Sequence, residues 1–143
     1  MIKEGNITEE TERRINMLVE HFRGQKECNN LEELREVLGE RTEKGVNEFI
    51  ISTHEQFPYM IMSVKGKYAC LSYFRKEDDP GYISVNDTPV LDADGISIFY
   101  TNTDSEEIEV ANYSIIEIED AVSAVEEFFE TLQLPKCIEW EEL

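Results

Sequence analysis

Positive charge is nearly absent from the second half of this 143-residue chain. Residues 77–143 hold 19 acids and one base, Lys136, a net charge of -18. Residues 1–76 hold 13 acids and 12 bases, a net of -1, so the total of -19 is unevenly placed. No stretch approaches the roughly 18 apolar residues of a membrane span. Met1-Ile2-Lys3-Glu4, soon followed by more Glu, predicts no secretory signal. Cys28, Cys70 and Cys137 are odd in number and widely spaced, with no C-x-x-C pair, which argues against a disulfide framework or a zinc knuckle. The expected address is the cytoplasm. The seven glycines never fall in G-x-G-x-x-G or P-loop spacing, so no phosphate cradle is expected.

Residues for catalysis are equally few. His21 and His54 are the only histidines, and a Cys–His nucleophile pair would have to be assembled from them in space. Cys70 falls inside an apolar segment, which suits a buried thiol and not a reactive thiolate. Asp92-Ala93-Asp94-Gly95 resembles a calcium loop, but Gly95 is its fourth position and Thr103 its twelfth, where an EF-hand needs Gly sixth and Glu twelfth. A turn explains it better. No metal or cofactor is expected, and no enzymatic activity.

What is present is a globular composition, with 41% hydrophobic and 10% aromatic residues. One domain over residues 1–143 is expected, with an N-terminal helical segment over 1–45 and a sheet with a closing helix and strand over 46–143. Asn6, Thr8 and Glu9 offer caps, and Ile15, Leu18, Val19 and Phe22 recur at helical spacing before Gly24, predicting a first helix. Asn30 with Glu33, then Leu31, Leu34, Val37 and Leu38 before Gly39, predict a second. Strands are predicted at Phe49–Thr53, Tyr59–Val64, Tyr68–Phe74, Tyr82–Val85, Ile96–Thr101 and Ile108–Ile116, with a tight turn at Lys65-Gly66. The stripe Ile118, Ala121, Val122, Val125, Phe128, Phe129 and Leu132 predicts the last helix, ended by Pro135, and Cys137–Trp140 reads as a closing strand. The class is α+β: an antiparallel sheet with N-terminal and C-terminal helices packed on one face.

Charge then sets the partner. Nucleic acid and anionic lipid repel so acidic a chain, and a basic protein surface attracts it. Solubility alone needs a net charge of only about 2–8 in magnitude. Glu126, Glu127 and Glu130 sit toward the negative end of the last helix, where acids are unfavourable and no Lys or Arg follows at i+3 or i+4. Glu77, Asp78, Asp79, Asp104, Glu106 and Glu107 fall on expected loops and are the first candidates for contact with the partner. Glu126, Glu127 and Glu130 are the second.

The run Ala121-x-x-Ala124-x-x-x-Phe128-Phe129-x-Thr131-x-x-x-Pro135-x-x-Ile138-x-Trp140 resembles the closing signature of the Imm1 family of bacterial immunity proteins. Tyr82-x-Ser84 and Ile98-x-Tyr100 are similar to its central sheet, so the resemblance covers residues 55–143. Where the family has Thr-Gly after the helix, this chain has Thr131-Leu132, so the helix must end by another geometry. The resemblance implies non-covalent, stoichiometric neutralisation of a cognate antibacterial toxin domain, such as a deaminase or nuclease. Two other readings fit the charge or the composition: an acidic nucleic-acid mimic or adaptor, and a small hydrolase with a Cys or carboxylate centre, for which no motif is present.

Overall fold

A computed structural model describes residues 16–86 and 91–143. The chain begins there with an antiparallel hairpin, β1 (Met17–His21) and β2 (Gly24–Cys28), in the order that continues α1 (Leu31–Leu38), β3 (Val46–Ser52), β4 (Tyr59–Lys65), β5 (Tyr68–Phe74) and β6 (Tyr82–Val85). A second hairpin, β7 (Ile96–Tyr100) and β8 (Glu107–Ala111), leads through a 3-10 turn at Asn112–Ser114 to β9 (Ile116–Glu117). Helix α2 (Ile118–Thr131) and the closing strand β10 (Glu139–Glu142) follow. Among the described residues the main sheet runs β10-β6-β5-β4-β3-β1-β2, with β9 beside β5, and every pair in it is antiparallel.

The hairpin at Met17–Cys28 corrects the expected N-terminal helix over residues 18–22. Leu18, Val19 and Phe22 do recur at helical spacing, but Met17 and Val19 also alternate, and both are buried with Cys28 in the core. Five residues are too few for period alone to separate the two forms. Pairing with β2 on one side and β3 on the other satisfies the backbone of β1 on both edges. Gly24, at φ +149°, closes the turn in a conformation side chains rarely adopt. Ile15 and the expected caps Asn6, Thr8 and Glu9 lie outside the described residues.

Helix α1 begins as expected. The Asn30 side chain accepts from the Glu33 N–H at 2.9 Å, and the Glu33 carboxylate accepts from the Asn29 N–H at 2.8 Å. Both helices lie on one face of the sheet. Leu34, Val37 and Leu38 of α1 and Ala121, Ala124, Val125, Phe128 and Phe129 of α2 share one core with Phe49, Ile51, Met60, Met62 and Leu71 of the strands. Helix α2 ends at Leu132, which takes the left-handed conformation (φ 59°, ψ 20°) while its N–H donates to the Phe128 carbonyl at 2.7 Å. A leucine therefore occupies the position glycine usually fills. Pro135 lies beyond the stop, and its carbonyl accepts from the Trp140 indole at 2.8 Å.

Among the described residues the other face is only partly covered. Phe99, Val110, Ile115 and Cys70 form a smaller core between the β7–β8 hairpin and the sheet. The buried Glu48 carboxylate anchors the hairpin tip, accepting from Thr101 Oγ1 at 2.8 Å and the Asn102 N–H at 3.0 Å. Lys65 adds a bond to the Ile98 carbonyl at 2.8 Å. The outer edge of β5 is shared by β6 at Ser72–Tyr73 and β9 at Tyr68–Ala69. At the split, Ser84 Oγ accepts from the Leu71 N–H at 3.0 Å and donates to the Ser114 carbonyl at 2.7 Å. The expected single strand Ile108–Ile116 is thus two strands around a turn.

Candidate partner-binding surface

The acids singled out from the sequence are not gathered in one place. Glu77 and Asp78 are exposed on the loop after β5, and Asp79 turns into it. The Asp79 carboxylate accepts from the Arg75 N–H (2.9 Å), the Arg75 Nε–H (3.3 Å) and the Gly81 N–H (3.2 Å), so its charge organises the loop. Asp104, Glu106 and Glu107 lie at the β7–β8 tip, near the start of β3 and so at the opposite end of the strands from Phe74. The Asp104 carbonyl receives Lys44 Nζ at 2.7 Å, Glu106 accepts from Asn102 Nδ2 at 2.9 Å, and Glu107 is exposed. On α2, Glu126 pairs with Arg35 of α1, Glu127 accepts from the Lys136 N–H at 2.6 Å, and Glu130 points to solvent. The missing compensation for Glu126 thus comes from another helix.

The bonds to Asp79 hold its carboxyl below the usual range, chiefly through the Arg75 backbone N–H and then the Arg75 side chain. A carboxyl depressed in the folded state stabilises above its unfolded pKa, and that contribution vanishes as pH falls through the folded value. Asp79→Asn should therefore melt earlier than wild type near pH 7. The gap should shrink as pH falls below about 4. Thermal melts over that range check it; a gap independent of pH would contradict it.

The sulfur and imidazole groups do not assemble for catalysis. Burial, with Glu33 nearby, pushes the Cys28 thiol up to about 11, and burial takes Cys70 to about 11 as well. Partial desolvation and then Glu127 raise Cys137. A thiol held protonated is a poor nucleophile. His21 lies against Phe49 with ring centroids 6.0 Å apart, and His54 is exposed. Asp92 forms the expected turn, its side chain accepting from the Asp94 N–H at 3.2 Å and its carbonyl from the Gly95 N–H at 3.0 Å. Among the described residues, no three His, Cys, Asp or Glu side chains come together as a metal site, and no helix is long and apolar enough to cross a membrane.

The surface that loop reasoning missed is the half of the sheet that no described element covers. Strand registers place Glu20, Ile50, Ile61, Ser72, Ile83 and Glu141 in one row across six strands. The next row is Glu27, Leu18, Ser52, Tyr59 and Phe74. Alternate residues of the same strands enter the helix-side core, so both rows face away from the helices. Ile50, Ile61, Leu18, Tyr59 and Phe74 are half-buried, and the acids ending the rows are exposed. Tyr59 stacks on Phe74 with centroids 4.8 Å apart, and Phe57 packs on Tyr59 at 5.3 Å. A signal existed in the sequence: Phe49-Ile50-Ile51 and Tyr59-Met60-Ile61-Met62 are apolar at both parities, so both faces of these strands shun water.

The arrangement offers surface and charge, and no assembled reaction centre among the described residues. A double-stranded DNA deaminase immunity protein of Burkholderia cenocepacia (strain H111) is 25% identical over 128 residues, which cover 89% of this chain and 100% of that protein. The sequence also fits the family of the immunity protein Imm1 across residues 8–142, with the closing helix, Pro135 and Trp140 inside the match. Almost the whole chain thus belongs to the Imm1 immunity proteins, which bind a cognate toxin and inhibit it without themselves acting as catalysts.

Proposed function

We propose that this protein binds, one to one and without covalent chemistry, a toxin domain that acts on nucleic acid, and that it covers the basic surface on which the toxin holds phosphate. The carrying observation is the 19 acids against one base in residues 77–143. A surface evolved to hold phosphate is positive, and an acidic inhibitor competes for it by the same field. The name of the Burkholderia relative supports a toxin of this class. Exposed acids at Glu77, Asp78, Glu106, Glu107 and Glu130 speed encounter, and the cytoplasm, where the producer's own nucleic acid lies, is the place of action. Nucleic acid and membranes are not partners.

Co-expression with its cognate toxin domain tests the reading: cells survive with the chain and die without it. Association should also be steered by charge. Its rate constant should fall about tenfold or more as ionic strength rises from about 0.01 M to about 0.15 M, measured by stopped-flow fluorescence. A rate insensitive to salt would remove charge from the mechanism.

A further inference from the structure

We infer that the half of the sheet left open by the described residues, centred on Ile61, Tyr59 and Phe74, is the docking face for the toxin, whose contacting surface has an apolar centre bordered by Lys and Arg. The inference rests on the function proposed above and assigns it a surface. The two registered rows bring apolar and aromatic side chains into one continuous patch, although they come from strands far apart in the chain. Half-buried aromatics ringed by polar groups are the usual composition of a binding hot spot.

The border selects the occupant. Glu20 and Glu27 stand on the β1–β2 side and Glu141 on the β10 side, all exposed. Glu55, just before Phe57, and Glu77, just after the β5 end, close the border along the Phe74 end. Among the described residues Lys76 is the exposed base in that border, while Arg75 is already held by Asp79 and Glu142. A second copy of the chain would bring the same acids against these, at a net charge of -19 each, and like charges oppose that pairing. A basic partner meets no such penalty. On the helix side the apolar stripes of α1 and α2 are spent on the core.

The test measures binding of the catalytically inactivated cognate toxin domain, the one whose toxicity this chain relieves on co-expression. Tyr59→Ala with Phe74→Ala should weaken affinity about 100-fold, mainly by faster dissociation. Glu20→Lys with Glu141→Lys, at exposed positions that the fold does not use, should slow association about tenfold and flatten its salt dependence. Glu36→Lys with Ser123→Lys, exposed on the helices, should stay within about threefold of wild type. Circular dichroism confirms folding of each variant, and the exposed Glu pair keeps the test decisive if the aromatic pair unfolds. Wild-type binding with the sheet variants unchanged would overturn the docking face and leave the proposed function standing. Failure of the wild type itself to bind or to rescue cells would overturn both. A dimer of the free chain, dissociated by Ile61→Lys in native mass spectrometry, would assign the face to self-association and overturn the inference.

Discussion

Phe128→Ala should lower the free energy of unfolding by about 3–5 kcal/mol, the cost of losing a buried aromatic and leaving a cavity behind it. Phe128 is fully buried where α2 meets the sheet, and its ring meets Tyr73 edge-on with centroids 5.8 Å apart. Tyr73 in turn packs against Tyr82 and Trp140, so one ring links the helix to β5, β6 and β10. Domains of this size are stable by about 5–15 kcal/mol, so the variant keeps little reserve. A drop in melting temperature of about 10–15 °C is expected in calorimetry. Phe128→Leu, which keeps much of the volume, should recover more than half of it. A loss below about 1 kcal/mol for Phe128→Ala would mean that the helix does not seat as described.

The second large effect is local. Glu48→Ala should cost about 2–4 kcal/mol, because two donors, Thr101 Oγ1 and the Asn102 N–H, lose a charged acceptor in a buried site. Glu48→Gln keeps one good acceptor and should lose about half as much. The damage should be confined to one element. Amides of β7 and β8 should exchange faster, while those of β4 and β5, held on both sides by other strands, keep their protection. Equal loss of protection across the main sheet would show that Glu48 serves the sheet and not the hairpin.

These two residues mark what a linear reading can and cannot find. Phe128 was legible: α2 declares itself by a stripe of apolar residues over fourteen positions, and helical contacts are local. So were α1 with its Asn30 cap, the β4–β5 hairpin and β6. The first hairpin was not, because Leu18, Val19 and Phe22 satisfy a helical period while Met17 and Val19 satisfy an alternating one. Only pairing with β3, some thirty residues on, decides between them. The break inside Ile108–Ile116 depends likewise on distant partners, since Asn112 is held by Ser97 Oγ at 2.5 Å and the Asp92 carbonyl at 2.8 Å.

The surface divides in the same way. The excess of acid is a matter of counting, and Glu77, Asp78, Glu107 and Glu130 do reach solvent. That Asp79, Glu126 and Glu127 are engaged within the molecule could not be read, because Arg35 lies 91 residues from Glu126 and the Asp79 bonds depend on a loop closing on itself. The open sheet face was written as apolar residues at both parities. Which half of it stays open depends on where the β7–β8 hairpin lands, and Glu48, a lone acid in an apolar strand, sets that.

Among the described residues the strand order of the main sheet also leaves two outer strands, β2 and β10, each with one unpaired side. Unpaired strand edges template the growth of sheets from one molecule to the next. Here β2 reads Gly-Gln-Lys-Glu-Cys and β10 reads Glu-Trp-Glu-Glu, both short and charged. A neighbouring copy that tried to add its own β10 would set three carboxylates beside three more. Edges of this kind let the protein reach high concentration without seeding fibres of itself.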